Sequence, residues 1–347
     1  MRKTISIILL AWVTVLGAQE TEIDPASTIQ VDVNVVNVPV SVTDSDGRFL
    51  VDLSKDDFKI WENGQRVQIR YLTHSTDTEN MPPLRVGFLV DQSNTARLYY
   101  KTYKESIGDL AFQLIPEGGR DRGFLMGYHT EVDLLVKMTN DAYFISEKLE
   151  SIKHGGGSAM LDAIYDACTK QLASKEYMGP GEPRKVIVII GDGHDNASRR
   201  TLDEVLYVAQ RHQVTVHALS TVAWGFREKE EKNLFKLAKA TGGRIVQPME
   251  NPHKEAIGYL SKPQDAGNFV YTVGTGEYNA AQLQALFDAI RDVAGGIQKQ
   301  YVLGYAPPTP FADGKFRRIR VELKLTKYVD LDIRHRAGYY PPDVPGR

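Results

Sequence analysis

The spacing of apolar residues divides the chain into three stretches and predicts the elements of each. Between Val31 and Thr73 the period is two. Val36, Val38, Val40 and Val42 alternate with Asn37, Pro39 and Ser41, the pattern of a strand with one buried face. The run stops at the turn string Asp44-Ser45-Asp46-Gly47. Phe58, Ile60 and Glu62-Asn63-Gly64 repeat the scheme with a second strand and a hairpin-type turn. Pro39 has no N–H to give a ladder, so the first strand is expected at an edge or with a bulge.

From about Pro83 to Gly296 the pattern changes. Short apolar runs (Leu84–Val90, Gly123–Gly127, Val186–Ile190, Val214–Leu219 and Arg244–Val246) are separated by helical stripes. Ile107, Leu110, Ala111 and Leu114 make one stripe, and Leu283, Leu286, Phe287, Ile290 and Ala294 another. Near-continuous apolar strands separated by amphipathic helices predict an α/β fold, a doubly wound and mostly parallel sheet with helices on both faces.

From Tyr301 onward alternation returns. Ile319, Val321, Leu323 and Leu325 face one way while Arg318, Arg320, Glu322 and Lys324 face the other, after the turn Asp313-Gly314. Val329, Leu331 and Ile333 are expected in a further strand. Neither flank has enough strands to bury a core alone, so the two ends are expected to pair into a small accessory β unit. The expected organisation is an N-terminal β segment over 29–78, the α/β domain over 83–297 and a C-terminal β segment over 299–340.

Residues 1–18 stand outside this scheme. Arg2 and Lys3 precede an apolar stretch from Ile5 to Leu16, followed by Gly17 and Ala18. That order of charge, greasy core and small residues is the layout of a secretory signal peptide, and the apolar part is short for a membrane span. The mature protein is therefore expected to be exported, periplasmic or extracellular, with no membrane span after cleavage.

Composition narrows the function classes. Lys and Arg total 42 against 44 Asp and Glu, a net charge of −2, so no basic footprint for nucleic acid is present. One cysteine, Cys168, excludes an internal disulfide framework and a zinc site built of several thiolates. It lies on a helical stripe with Leu161, Ile164, Tyr165 and Leu172, where a thiol serves as a small core hydrophobe.

The candidate chemistry sits where strands end. Leu84–Val90 runs into Asp91-Gln92-Ser93-Asn94-Thr95, which sets a carboxylate and two hydroxyls at alternate positions. These are hard oxygen ligands, suited to magnesium or a similar divalent cation. Gly155-Gly156-Gly157-Ser158-Ala159 places a further hydroxyl at a helix entrance, and Val186–Ile190 ends in Gly191-Asp192-Gly193-His194-Asp195. In a parallel sheet, loops at the carboxyl ends of strands share one edge, where doubly wound folds bind ligands.

These motifs resemble the von Willebrand factor type A family and its metal-ion-dependent adhesion site. The resemblance covers about Pro83–Ile297. Matched position by position, the site falls on Asp91, Ser93, Thr95, Ser158 and Asp192, with Thr95 in place of the usual serine and Ser158 in place of threonine. Tyr301-Val302-Leu303-Gly304-Tyr305 and Arg336-Ala337-Gly338-Tyr339-Tyr340 look like a secreted bacterial branch of the family.

The resemblance implies one divalent cation (Mg2+, or Mn2+ or Ca2+) that bridges to a protein partner's Asp or Glu. The implied function is binding and adhesion, not catalysis. Asp195 is either a support behind a ligand or a solvated loop acid. Asp162 and Asp166 are expected to serve the following helix. Trp224, Phe226 and Arg227, after Val214–Leu219, and the long stretch Met249–Asn279 are candidates for a rim around the site or for a lid over the core.

Two alternatives carry different chemistry. A structural cell-envelope component would keep the fold with a degenerate, metal-free site. A metal-dependent phosphohydrolase would use an Asp-x-Asp string, but Ser93 stands where its general acid belongs and cannot protonate a leaving group near neutral pH. No Gly-x-Gly-x-x-Gly turn follows a strand, which disfavours a dinucleotide enzyme.

Overall fold

The computed structural model describes residues 35–77, 79–173, 182–221, 231–248, 276–309, 311, 314–324 and 330–341. Segment 1–18, the rim candidates Trp224, Phe226 and Arg227, and most of Met249–Asn279 lie outside the described residues, as do Asp313, Leu325 and Val329.

In chain order the strands are β1 (Val36–Thr43), β2 (Phe58–Glu62), β3 (Gln65–Val67), β4 (Ile69–Thr73), β5 (Leu84–Asp91), β6 (Arg122–Tyr128), β7 (Val132–Thr139), β8 (Arg184–Gly191), β9 (Val214–Ser220), β10 (Ile245–Val246), β11 (Tyr301–Tyr305), β12 (Arg317–Leu323), β13 (Asp332–Arg334) and β14 (Gly338–Tyr339). The helices are α1 (Arg97–Leu114), α2 (Ala142–Glu150), α3 (Met160–Asp166), α4 (Leu202–Arg211), α5 (Glu231–Thr241) and α6 (Gly276–Gln298).

The central sheet has six strands in the order β10-β9-β8-β5-β6-β7. All neighbours are parallel except β6 and β7, which run antiparallel. β7 escapes an apolar-run reading because it is an edge strand whose residues are half-buried or exposed. Val86, Phe88 and Val90 face a core shared with Ile107, Leu110, Ile145, Ile290 and Val293 of α1, α2 and α6. On the other face Leu89, Phe124, Ile187 and Ile189 meet Ile164, Val205 and Leu237 of α3, α4 and α5.

Two details depart from the helical stripes read in the sequence. In α6, Leu286, Ile290 and Ala294 are buried, but Leu283 and Phe287 are exposed. The buried arc is completed instead by Ala289, Val293 and Ile297; Phe287 falls at its rim, and Leu283 stands exposed one turn before Leu286. The α3 stripe does not stay α-helical either: after Asp166 the backbone widens into a π turn over Ala167–Gln171, with Cys168 buried inside it.

The flanking segments form two four-stranded sheets, β13-β1-β11-β4 and β14-β12-β2-β3. Val36–Val40 of β1 pairs antiparallel with Tyr305–Tyr301 of β11, and Ile319–Leu323 of β12 pairs with Glu62–Phe58 of β2. Val36, Val38, Val40 and Val42 are buried in one core with Ile60, Leu303, Ile319 and Tyr339. Pro39 lies inside the sheet order, yet β13 pairs only with Ser41–Thr43, so among the described residues the flank beside Pro39 carries no paired strand. Asn63 (φ 50) and Gly64 (φ 83) turn β2 into β3 in the left-handed region that a two-residue hairpin requires.

Candidate metal centre

Asp91 ends β5, and Asp192 follows the last residue of β8. After β5 the chain turns to β6 and β7 on one side, then returns to β8 on the other. The gap between β5 and β8 is therefore the switch point of the sheet, the place where doubly wound folds bind ligands. Val90 is paired with Ile190, so Asp91 and Gly191 lie side by side one residue further on. A Cβ built on Gly191 would stand 3.2 Å from the Asp91 Cβ and 3.4 Å from its Oδ2. Asp192 therefore stands one residue beyond the level of Asp91 on the adjacent strand, near enough for the two charges to interact.

The loop after β5 folds back on Asp91. The Ser93 N–H donates to Asp91 Oδ1 at 2.7 Å, and the Ser93 and Thr95 hydroxyls lie 3.0 Å apart. Asp91 and Ser93 are buried, whereas Thr95 is exposed. The glycine loop is stitched to this turn by backbone bonds, Gly155 N–H to Gln92 O at 2.8 Å and Asn94 N–H to Gly156 O at 3.3 Å. Gly156 is needed there: its φ is +77 and a side chain would meet the Thr130 hydroxyl at 2.5 Å.

Ser158 joins the same cluster from the glycine loop and points its hydroxyl at the third loop. Its Oγ donates to the His194 carbonyl at 2.8 Å, and its N–H donates to Asn196 Oδ1 at 2.8 Å. Asp192 Oδ1 accepts the His194 N–H at 2.9 Å. All five sequence candidates therefore stand on loops that bond one another at one sheet edge. Ser93 and Thr95 pair directly, while Ser158 is engaged with the Asp192–Asn196 loop.

Electrostatics sharpen the picture. Burial pushes the Asp91 carboxyl up to about 6; Ser93 pulls it down through its N–H and hydroxyl, Asp192 pushes it up and His194 pulls it down. A dication would offset a desolvated carboxylate that stands beside a second one. The donors are all oxygen, two carboxylates and three hydroxyls, which fits magnesium or manganese better than zinc or copper. Among the described residues no three His, Cys, Asp or Glu side chains gather as a metal cluster, so hydroxyls and water would complete the shell. Ser158 reaches such an ion directly only by leaving the His194 carbonyl.

The acids left open by the sequence have structural partners. Asp195 accepts the Leu161 N–H at 2.7 Å in the first turn of α3, and the N–H and hydroxyl of Ser198. Half-buried, with its oxygens taken by these donors, it caps α3 from another loop. Asp162 accepts the N–H groups of Arg199 and Arg200, and Asp166 pairs with Lys170. A cleft of about 970 Å³ between the Asp46–Phe49 turn and α6 is lined by none of these residues.

Two residues of the site carry no motif signal. Gln92 is buried against Gly127, and its Oε1 has no hydrogen-bond partner among the described residues. Tyr128 is fully buried and pairs in register with Asp91 across β5 and β6. Only the strand register, which the sequence does not print, places either one beneath the loops.

The model of the von Willebrand factor type A domain matches residues 86–255, the span that contains all five candidates. No curated protein matches the chain. Among solved structures, BatB from Bacteroides thetaiotaomicron is similar at 18% identity over 52% of this chain and 98% of its own, with a TM-score of 0.39. Proximal thread matrix protein 1 from the mussel byssus, described with a zinc-occupied MIDAS motif, is similar at 12% identity over 67% of this chain and 48% of its own, with a TM-score of 0.45. The vWF domain of the type V pili tip protein Mfa5 from Porphyromonas gingivalis shares 20% identity over 33% of this chain and 39% of its own, with a TM-score of 0.29. The motif order, the switch-point geometry and the matched span agree: the α/β domain of this chain is a von Willebrand factor type A domain.

Proposed function

We propose that the chain is an exported binding protein that holds one divalent cation, Mg2+ or Mn2+, at a metal-ion-dependent adhesion site formed by Asp91, Ser93, Thr95, Ser158 and Asp192. The observation that carries this reading is the approach of Asp91 at the end of β5 to Gly191 at the end of β8, which sets Asp192 close enough to interact with the Asp91 charge across the switch point. Two carboxylates roughly neutralise a dication and leave coordination positions for water and for a partner's Asp or Glu. The ion supplies the positive centre; the side chains orient it and leave one position open. The role is recognition of a protein, with no catalytic step. Segment 1–18 serves export, the β unit carries the domain, and Trp224, Phe226 and Arg227 belong to the rim that selects the partner.

The metal-free envelope module is the competing reading, and the Ser158–His194 bond is the observation on its side. Calorimetric titration of the purified chain with Mn2+ separates the two. Saturable binding that disappears in Asp91→Ala, together with Mn2+-dependent capture of a glutamate-bearing peptide, supports the adhesion site. A chain that binds neither Mn2+ nor Mg2+ at millimolar concentration is the metal-free module.

A further inference from the structure

Three neighbouring strands set Tyr128, Asp91 and Gly191 in one row. Tyr128 and Asp91 are register partners on β6 and β5, and Gly191 lies beyond the Val90–Ile190 pair on β8. Tyr128 points to the α3 side of the sheet, among Leu89, Met126 and Ile164. Its ring crosses beneath Asp91 toward β8, where the hydroxyl lies 3.5 Å from the Ile190 carbonyl. A Cβ on Gly191 would be 2.3 Å from that hydroxyl and 3.4 Å from Asp91 Oδ2. The missing side chain of Gly191 thus leaves a space bordered by both the phenol hydroxyl and the Asp91 carboxylate.

We propose that Tyr128 is a positioning residue of the site, its hydroxyl seated in the space left by Gly191 and aiming the Asp91 carboxylate at the cation. The inference rests on the adhesion-site reading above and names its internal support. The 3.5 Å bond to Ile190 is long, so the hydroxyl is weakly committed there. Burial, with Asp91, Asp192 and Asp195 adding to it, holds the phenol well above its ordinary range. Groups that orient a metal's ligands from behind change metal affinity about 10- to 100-fold when removed.

The test uses the full chain, Mn2+ as the probe, calorimetric affinity and the melting temperature without metal. Tyr128→Phe keeps the ring and removes the hydroxyl. The expected result is a fold that persists and an Mn2+ affinity about tenfold or more weaker. Tyr128→Phe combined with Gly191→Ser returns a hydroxyl to the vacated point, and affinity is expected to recover at least in part, a rescue that a packing role would not give. Unchanged affinity in Tyr128→Phe overturns the proposal, as does a Tyr128→Phe chain that does not fold, which would make the hydroxyl a folding device. A parent chain that binds no Mn2+ overturns the adhesion-site reading itself and is seen before any variant is made.

Discussion

Glu62 and Arg317 meet at 3.2 Å with about 1% of each side chain exposed, although they are 255 residues apart. Tyr305 and Tyr339 both donate to the other Glu62 oxygen, at 2.5 and 2.9 Å. The tyrosines come from the two end motifs, and the carboxylate comes from β2. One buried acid thereby ties strands β2, β11, β12 and β14 of the β unit. Removing one member strands a charge, so Glu62→Gln or Arg317→Met is expected to cost about 3–5 kcal/mol. The pair Glu62→Gln with Arg317→Met is expected to cost less than the sum of its singles. Urea unfolding of the four chains measures both.

Acid should loosen the α/β domain through His217. The ring is fully buried; burial, with Arg244 and Arg334 adding to it, lowers it from 6.5 to about 3. Its Nδ1 accepts the Arg244 N–H at 3.3 Å, so the proton sits on Nε2, which has no partner among the described residues. In this window the unfolded chain binds the proton and the folded chain does not, so the contribution is full above 6.5. It is lost as pH falls toward 3, at up to about 1.4 kcal/mol per pH unit. His217→Gln keeps an acceptor and does not titrate; its stability between pH 6.5 and 4, followed by urea unfolding, should fall less steeply than the parent's.

Gly243 lies between α5 and β10, where a side chain would stand 1.8 Å from the Val216 carbonyl oxygen. The obstacle is backbone, which cannot swing aside. Gly243→Ala is expected to destabilise by about 3 kcal/mol or more. Thermal unfolding reads this, and a loss below 1 kcal/mol would show that β9 and the loop shift freely.

Asp195 holds the start of α3 and the Ser198 turn in place. Asp195→Ala is expected to cost about 1 kcal/mol, the size of a lost helix cap. Because Asp195 is not a ligand in this account, its Mn2+ affinity should fall less than that of Ser93→Ala. Equal losses in the two variants would move Asp195 into the metal shell.

Much of this was legible in the sequence where local pattern and structure coincide. The four alternating valines of β1 are buried together because a pleated strand sends every second side chain to one face. The place of Asp91, Ser93 and Thr95 at the carboxyl end of a central strand could be read because the apolar run Leu84–Val90 stops at Asp91. Leu283 and Phe287 were misplaced because periodicity gives a face but not where its burial starts. β7 was missed because an edge strand need not be apolar. Asp195 stayed open because its partner, the Leu161 N–H, lies 34 residues away. Tyr128 and Glu62 were invisible for the same reason: their roles depend on strand register and on pairs distant in sequence.

The central claim is that the Asp91 and Asp192 loops hold a cation. Calorimetric titration of Mn2+ into the parent chain and Asp91→Ala at pH 7.5 tests it most directly. The account predicts one saturable site in the parent, none in Asp91→Ala, and Mn2+ raising the melting temperature of the parent alone. A parent whose melting temperature and heat signal ignore Mn2+ and Mg2+, or an Asp91→Ala chain that binds them as the parent does, would contradict it.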